Sequence, residues 1–232
     1  MKRYFIAALA ALITLGASAG VNFWDEGTPE QKVTYGARLG LNVANLNGHY
    51  HDWDARSGLR LGAAVDWHLI NSISINTGLY FSMKGAKREY AYENYEGYRY
   101  TKYYDRYSYN VLEIPVYVNY HFTVAPESSV QVFFGPYFDL GVYGRKLNKE
   151  TFENTTTSTT YPLFKNSNGA HRFNCGVGLG AAYTWNQFLV ELQYQWGCTS
   201  AFKKIMFDGG PTPSKWGNWN TFSITLGYNF SL

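Results

Sequence analysis

Nine charged residues stand at alternate positions within otherwise apolar stretches of this sequence. They are Arg38, Arg60, Asp66, Lys84, Glu113, Asp139, Arg145, Arg172 and Glu191. An ionised side chain enclosed by apolar surroundings is costly unless an opposite charge meets it. Five cations and four carboxylates with this spacing can therefore form a network of ion pairs, or line a narrow polar path. Other groups offer weaker chemistry. The stretch HYHDWD sets His49 and His51 beside Asp52 and Asp54, two imidazoles and carboxylates of the type that hold Zn or Cu. A polar surface loop explains it better, and no metal site is assigned. Hydrolysis or acyl transfer needs a nucleophile or activated water, a histidine and an orienting carboxylate together. The one Gly-x-Ser-x-Gly match, Gly16 to Gly20, lies in the small-residue run near the start of the chain, and the five histidines are scattered. The expectation is no enzyme and no cofactor, with a site at the rim using His51 or His171 as the alternative. Two cysteines, Cys175 and Cys198, complete the reactive inventory.

What positions the charges is a strict period of two, the mark of half-buried strands. In VTYGARLGLNVANL, Tyr35, Leu39, Leu41 and Val43 share one face, and Arg38 and Asn42 the other. SGLRLGAAVDWHLI opposes Leu59, Leu61, Val65 and Trp67 to Arg60, Asp66 and His68. ISINTGLYFSMKG, VLEIPVYVNYHF, VQVFFGPYFDLGVYGR, RFNCGVGLGAAYTW, FLVELQYQW and TFSITLGYNFSL follow the same rule, which makes eight segments. Pro115 and Pro136 fall mid-strand, where each costs a ladder bond, and a bulge is expected there.

Connectors alternate in length. Asn71-Ser72 and Asn186-Gln187 are tight and Thr123–Ser129 is moderate. Asn47–Ser57, Ala86–Tyr107, Asn148–Gly169 and Lys203–Gly217 are long and polar. Short turns on one side and long loops on the other mark an outer-membrane barrel, with both termini on the periplasmic side. The beginning agrees. Lys2 and Arg3, the apolar run Tyr4–Leu15 and Ala17-Ser18-Ala19 form a secretory signal over residues 1–19, leaving residues 20–232 as one barrel domain. Setting aside Lys2 and Arg3 lowers Lys+Arg from 20 to 18 against 17 Asp+Glu. That balance argues against a nucleic-acid partner. Aromatic residues make up 19% of the chain, the wealth of rings that membrane barrels place at their interfaces. The fold class expected is all-β, an eight-stranded antiparallel up-and-down transmembrane β-barrel, with outer-membrane lipid as its surroundings.

YGARLGLNVANL, GLYFSMKGAK, VLEIPVYVNYHF, FFGPYFDLGV, GVGLGAAY and FSITLGYNF resemble, in that order, the PorT-like outer-membrane barrels of Bacteroidetes, which overlap in architecture with small OmpA-type barrels. Lys84-Gly85 and Leu112-Glu113-Ile114-Pro115 are the most specific elements. The resemblance implies eight strands and an outer-membrane address. It permits a part in a protein-export or surface-assembly machine, with other envelope or secretion proteins as partners. The ending departs from the usual terminal aromatic, since Ser231-Leu232 follow Phe230.

Arg88 to Asn110 holds nine tyrosines among charges. A turn at Glu96-Gly97 would pair Phe81 with Leu112, Leu79 with Ile114, Arg88 with Asp105 and Tyr90 with Tyr103, a long hairpin above the membrane. Rings at its base would serve as an aromatic girdle. Tyr92, Tyr95, Tyr98 and Tyr100 near the tip would be recognition surface. Inside, Arg60, Lys84, Glu113 and Asp139 come to similar depth and are expected as a mid-barrel cluster. With Tyr80, Tyr117 and Tyr137 they favour a plug over a narrow gated pore, since eight strands leave room only for side chains. Pairing Trp185 with Phe188 also brings Cys175 opposite Cys198. A disulfide is possible there, unless a bulge near Gly197 separates them. The role expected is structural, or surface recognition through the long loops.

Overall fold

The computed structural model describes residues 24–47, 53–94, 99–152, 155–165, 169–202 and 217–230, with backbone alone for 92–94, 99 and 100. Residues 1–19, His49, His51, Asp52, Tyr95, Tyr98, the turn Glu96-Gly97 and most of Lys203–Gly217 lie outside the described residues. Nine strands follow in order: β1 (Val33–Asn47), β2 (Asp54–Ile70), β3 (Ile73–Asn94), β4 (Arg99–Ala125), β5 (Ser128–Phe152), β6 (Thr155–Pro162), β7 (Phe173–Trp185), β8 (Phe188–Gly197) and β9 (Asn218–Phe230). Every pairing is antiparallel. Eight strands close a ring β1-β2-β3-β4-β5-β7-β8-β9, sealed by β1 against β9. Closure leaves no free edge in the lipid.

The ninth strand corrects the expectation of a polar loop over Asn148–Gly169. β5 runs on to Phe152 and returns as TTTSTTYP, which pairs with β5 alone. β-branched Thr favours the extended chain. β3, β4, β5 and β6 thus continue past the ring as a four-stranded sheet, and the tyrosine hairpin is its centre rather than a lone projection.

The hairpin register is the expected one, from Ile73↔Tyr120 through Phe81↔Leu112, Arg88↔Asp105 and Tyr90↔Tyr103 to Asn94↔Arg99. The turn between β4 and β5 is tighter than expected, with only Pro126 and Glu127 between the strands. Asn186 takes a left-handed φ of 55° in the turn before Phe188, a conformation asparagine tolerates better than most residues. The expected bulge at Pro115 and Pro136 does not occur. Pro115↔Tyr137 and Val118↔Phe134 keep one register, with the rungs between them unformed.

Outward positions are apolar and exposed: Leu39, Leu41, Leu61, Leu79, Ile114, Val118, Phe134, Leu140, Leu192, Ile224 and Leu226 among them. On β3 this face runs from Ile73 to Met83. At about 3.4 Å per residue and a tilt of about 40°, ten residues span about 25 Å, the height of a barrel's apolar band. Trp67, Trp185, Phe188, Tyr228 and Phe230 ring its lower edge, as an interfacial aromatic girdle does. Lower means the side of the short turns, and the N-terminal segment closes against it. The amide of Asp25 donates to Ser72 Oγ at 2.8 Å, and its carboxylate accepts from the Gly27 amide and Asn71 Nδ2 at 2.8 and 3.0 Å. These hydrogen bonds hold the Asp25 carboxyl below its ordinary pKa.

Candidate functional site

The alternation that turns leucines to lipid turns polar residues inward, and five of the nine predicted charges join there. Lys84 Nζ lies 2.7 Å from Asp139 Oδ2 and 3.2 Å from Glu113 Oε2. Arg60 lies 3.0 Å from Glu113 Oε1 and 3.2 Å from Glu191 Oε1. Glu113 and Asp139 are directly opposed across β4 and β5, a like-charge pair that is unfavourable alone. Lys84, reaching in from β3, bridges both. Gln195 from β8 donates to Glu113 Oε1 at 2.9 Å and accepts from Lys84 at 3.2 Å. Arg60 also donates to Thr225 Oγ1 of β9. Six strands therefore meet in one network across the lumen.

Rings fill what remains. The Arg60 guanidinium stacks 3.8 Å from the Tyr80 ring centre, and Lys84 Nζ lies 4.8 Å from that of Tyr137. Gln193 donates to the Tyr117 hydroxyl, and Tyr117 stacks on Phe133. The glycines of GVGLGAA make this possible. A Cβ on Gly176 would meet the Tyr137 hydroxyl at 2.7 Å, and one on Gly178 or Gly180 would strike Tyr117 or Phe133. They form a groove for inward rings and have no phosphate-binding role. Gln193, Gln195 and Thr225 share the inward parity of their strands, and that parity is the signal by which they could have been placed in the network.

The remaining charges go elsewhere. Arg38 is buried and donates to Asn229 Oδ1 at 2.7 Å. Asp66 accepts from Asn119 Nδ2 at 2.9 Å and from Ser74 Oγ at 3.4 Å. Both stay inward but outside the cluster. Arg145 is not in the interior. The β4–β5 register slips between Asn110↔Tyr143 and Val111↔Gly141, so Val142 is an extra residue. One extra residue flips every later side chain to the other face. Arg145 therefore points outward over the Tyr143 ring, 4.8 Å from its centre. Arg172 is also outside. β7 starts only at Phe173, and the exposed Arg172 donates to Gly141 O at 3.2 Å and lies over Phe164.

Above the network, Leu46, Ala86, Tyr109, Val111, Leu163, Ala170, Ala201 and Trp219 form a buried apolar layer. Tyr109 stacks on Trp219 at 5.3 Å between ring centres. The chain crosses the mouth here, with Ala170 bridged to Phe202 and the His171 amide bonded to Ala201 O. Tyr107 and Tyr109, expected as girdle at the hairpin base, point inward to this layer instead. This lid was not expected from the sequence, because its pieces come from six separate stretches of the chain.

At the lower end, His121 Nε2 lies 2.7 Å from Ser74 Oγ, and His68 Nε2 lies 3.3 Å from Thr34 Oγ1. Ser74 is fully buried, and Asp66 meets the serine rather than the second nitrogen of His121. Among the described residues no group of three or more His, Cys, Asp or Glu is arranged to hold a metal. The cysteines are adjacent as expected, since the Cys198 amide donates to Cys175 O at 2.9 Å. Both thiols are free. The return bond is replaced by Cys175 N to Thr199 Oγ1 at 3.0 Å. The pair lies just past the last rung of the β7–β8 ladder, Gly176↔Gly197, and keeps one of the two bonds that a full rung would have.

An antiparallel ring with leucines outside and an ion network inside is a membrane β-barrel, closed by its own side chains. The chain belongs to the outer membrane protein beta-barrel domain family, whose model matches residues 25–203, and it resides in the outer membrane. It is similar to solved barrels. Ail, the attachment invasion locus protein of Yersinia pestis, is 13% identical with a TM-score of 0.35, covering 86% of this chain and all of that one. Neisserial surface protein A is 12% identical at 0.34, over 86% and 100%. The N-terminal barrel domain of Pseudomonas aeruginosa OprF is 9% identical at 0.30, over 84% and 97%. At these scores the family match alone carries weight. No curated protein sequence matches the chain.

Proposed function

We propose that this protein is a closed scaffold that holds a β-sheet outside the cell as a recognition surface. A strand crosses the membrane in about 9–11 residues, yet β3, β4 and β5 have 22, 27 and 25. That excess, built into a paired sheet instead of a loop, is the observation that carries the reading. Cross-strand pairs rigidify it. Tyr90 stacks on Tyr103 at 5.2 Å, and Arg88 lies over Tyr90 at 4.1 Å. A surface ordered before binding loses less entropy on contact. Tyrosine suits such a surface because it offers a large, stiff, amphipathic face. Tyr92 and Tyr100 lie on the last rungs of the hairpin, opposite Thr101 and Glu93. The network and the apolar lid leave the lumen to side chains, and the reading includes neither catalysis nor conduction.

The test is to replace residues 90–103 by a two-residue turn. The shortened barrel should still fold and run anomalously on an unheated gel, while cells displaying it lose adherence to protein-coated and polysaccharide-coated surfaces. Unchanged adherence would remove the recognition role. Failure of the shortened chain to fold would make the sheet a structural part of the barrel.

A further inference from the structure

The sheet carries a second like-charge pair, on its other face. Lys87 of β3 is directly opposed to Arg106 of β4. Inside the barrel the opposed Glu113 and Asp139 have Lys84 between them. Here, among the described residues, nothing plays that part. Arg56 joins the two cations, donating to Ser108 Oγ at 2.7 Å and to Tyr107 O at 3.3 Å while its side chain lies across Gly85. Burial and the charge of Arg106 hold the Arg56 guanidinium below its ordinary pKa. Arg145, turned outward by the Val142 bulge, stands opposite Ser108 on β5. Among the described residues none of these four cations has a carboxylate within 4 Å, since all four ion pairs lie inside the barrel. Asp54 is in register with Lys87 without reaching it.

Position identifies what would bridge them. The four share the outward face with the lipid-facing residues. The last row with apolar side chains on this side holds Met83 and Tyr143, with the polar Asn110 between them. Ser108 and Arg145 come one row higher, and Lys87 and Arg106 the row above that. With a rise of about 3.4 Å per residue, the cluster begins within a few ångströms of the top of the apolar band, at the depth of lipid headgroups. Guanidinium groups make two parallel hydrogen bonds to phosphate, and lysine adds a point charge.

We infer that Arg56, Lys87, Arg106 and Arg145 form a binding site for the phosphate of an outer-leaflet glycolipid headgroup, on the lipid-facing side of β2 to β5. This site is independent of the recognition surface at the hairpin tip. A phosphate between Lys87 and Arg106 offsets their repulsion as Lys84 offsets that of Glu113 and Asp139. It also anchors the base of the sheet to the membrane surface.

The experiment is native mass spectrometry of the refolded full chain in detergent, with bisphosphorylated lipid A as probe. The wild type should retain one lipid. The double variant Lys87→Ser/Arg106→Ser should retain it about thirtyfold more weakly, the effect of removing two cations at a lipid surface. Lys87→Arg should bind as the wild type does. An anomalous unheated gel band for each variant establishes that the barrel has formed. Equal retention by the double variant would overturn the site. So would equal retention of dephosphorylated lipid A, which would make the contact one of acyl chains. Competition by inorganic phosphate as strong as that by lipid A would assign the cluster to a soluble anion and overturn the lipid assignment.

Discussion

Lys84 and Lys87 are three residues apart on β3, and the molecule treats them in opposite ways. Lys84 points inward, is fully buried and touches both Glu113 and Asp139. Lys87 points outward, half-buried, opposite Arg106 and, among the described residues, with no carboxylate within 4 Å. A charge in the closed lumen has no water to turn to, so its partners must come from the protein. A charge at the headgroup level has water, ions and lipid phosphates available. The difference shows that burial, more than residue type, decides whether a charge must be matched within the chain. It also separates two kinds of function. The interior holds the barrel shut, and the face above the band meets the membrane.

The comparison breaks most sharply at Glu113. Glu113→Ala leaves Arg60 and Lys84 sharing less negative charge in a dry interior. It should destabilise the barrel by about 3–5 kcal/mol, the cost of breaking a buried pair, measured by urea unfolding of protein folded into vesicles. A change below about 1 kcal/mol together with a large conductance in planar bilayers would show a wet lumen and remove the plug. Next comes the apolar lid. Trp219→Ala should cost about 3 kcal/mol from lost packing in the same assay, with little gain in conductance because the ion network below remains closed. Outside, Lys87→Ser/Arg106→Ser should alter stability in lipid-free detergent by no more than about 0.5 kcal/mol, the range of exposed substitutions. A large loss there would mean that the two cations serve the fold.

The smallest effect belongs to the exposed Asp25. Its carboxyl is held below the ordinary value by the Gly27 amide and Asn71. A depressed carboxyl contributes stability that is present above its unfolded pKa and is lost as pH falls through the folded one. Hydrogen exchange at the Asn71 and Ser72 amides, which bond to Gly27 O and Asp25 O, should therefore quicken, relative to neighbouring turns, as the medium becomes acidic through that range. Asp25→Asn should flatten this dependence. Equal pH dependence in the variant would show that the carboxylate does not hold the segment.

The pairing of β3 with β4 was legible because period-two alternation and one assumed turn leave a single register that keeps leucines on lipid. The cluster of Arg60, Lys84, Glu113 and Asp139 was legible for the same reason, since depth follows from counting residues along strands of known tilt. The lid around Trp219 was not, because Leu46, Leu163, Ala201 and Trp219 are far apart in the chain and none belongs to a local pattern.

By itself the sequence determined the alternation, the register of the β3–β4 and β7–β8 hairpins and the face on which each regular position lies, all of which depend on near neighbours along two strands. The tertiary structure decided what depends on an irregular pairing or on a third strand. Val142 could be read as one more lipid-facing residue until β5 had to match β4, and the slip there sends Arg145 out of the interior. Cys175 and Cys198 were opposite by counting, yet Thr199 takes the Cys175 amide once β8 leaves the ladder, and the thiols stay free. Glu113 and Asp139 face each other by pairing alone. Only closure of the ring brings Arg60, Lys84 and Gln195 around them, because those contacts cross a space that no local rule spans.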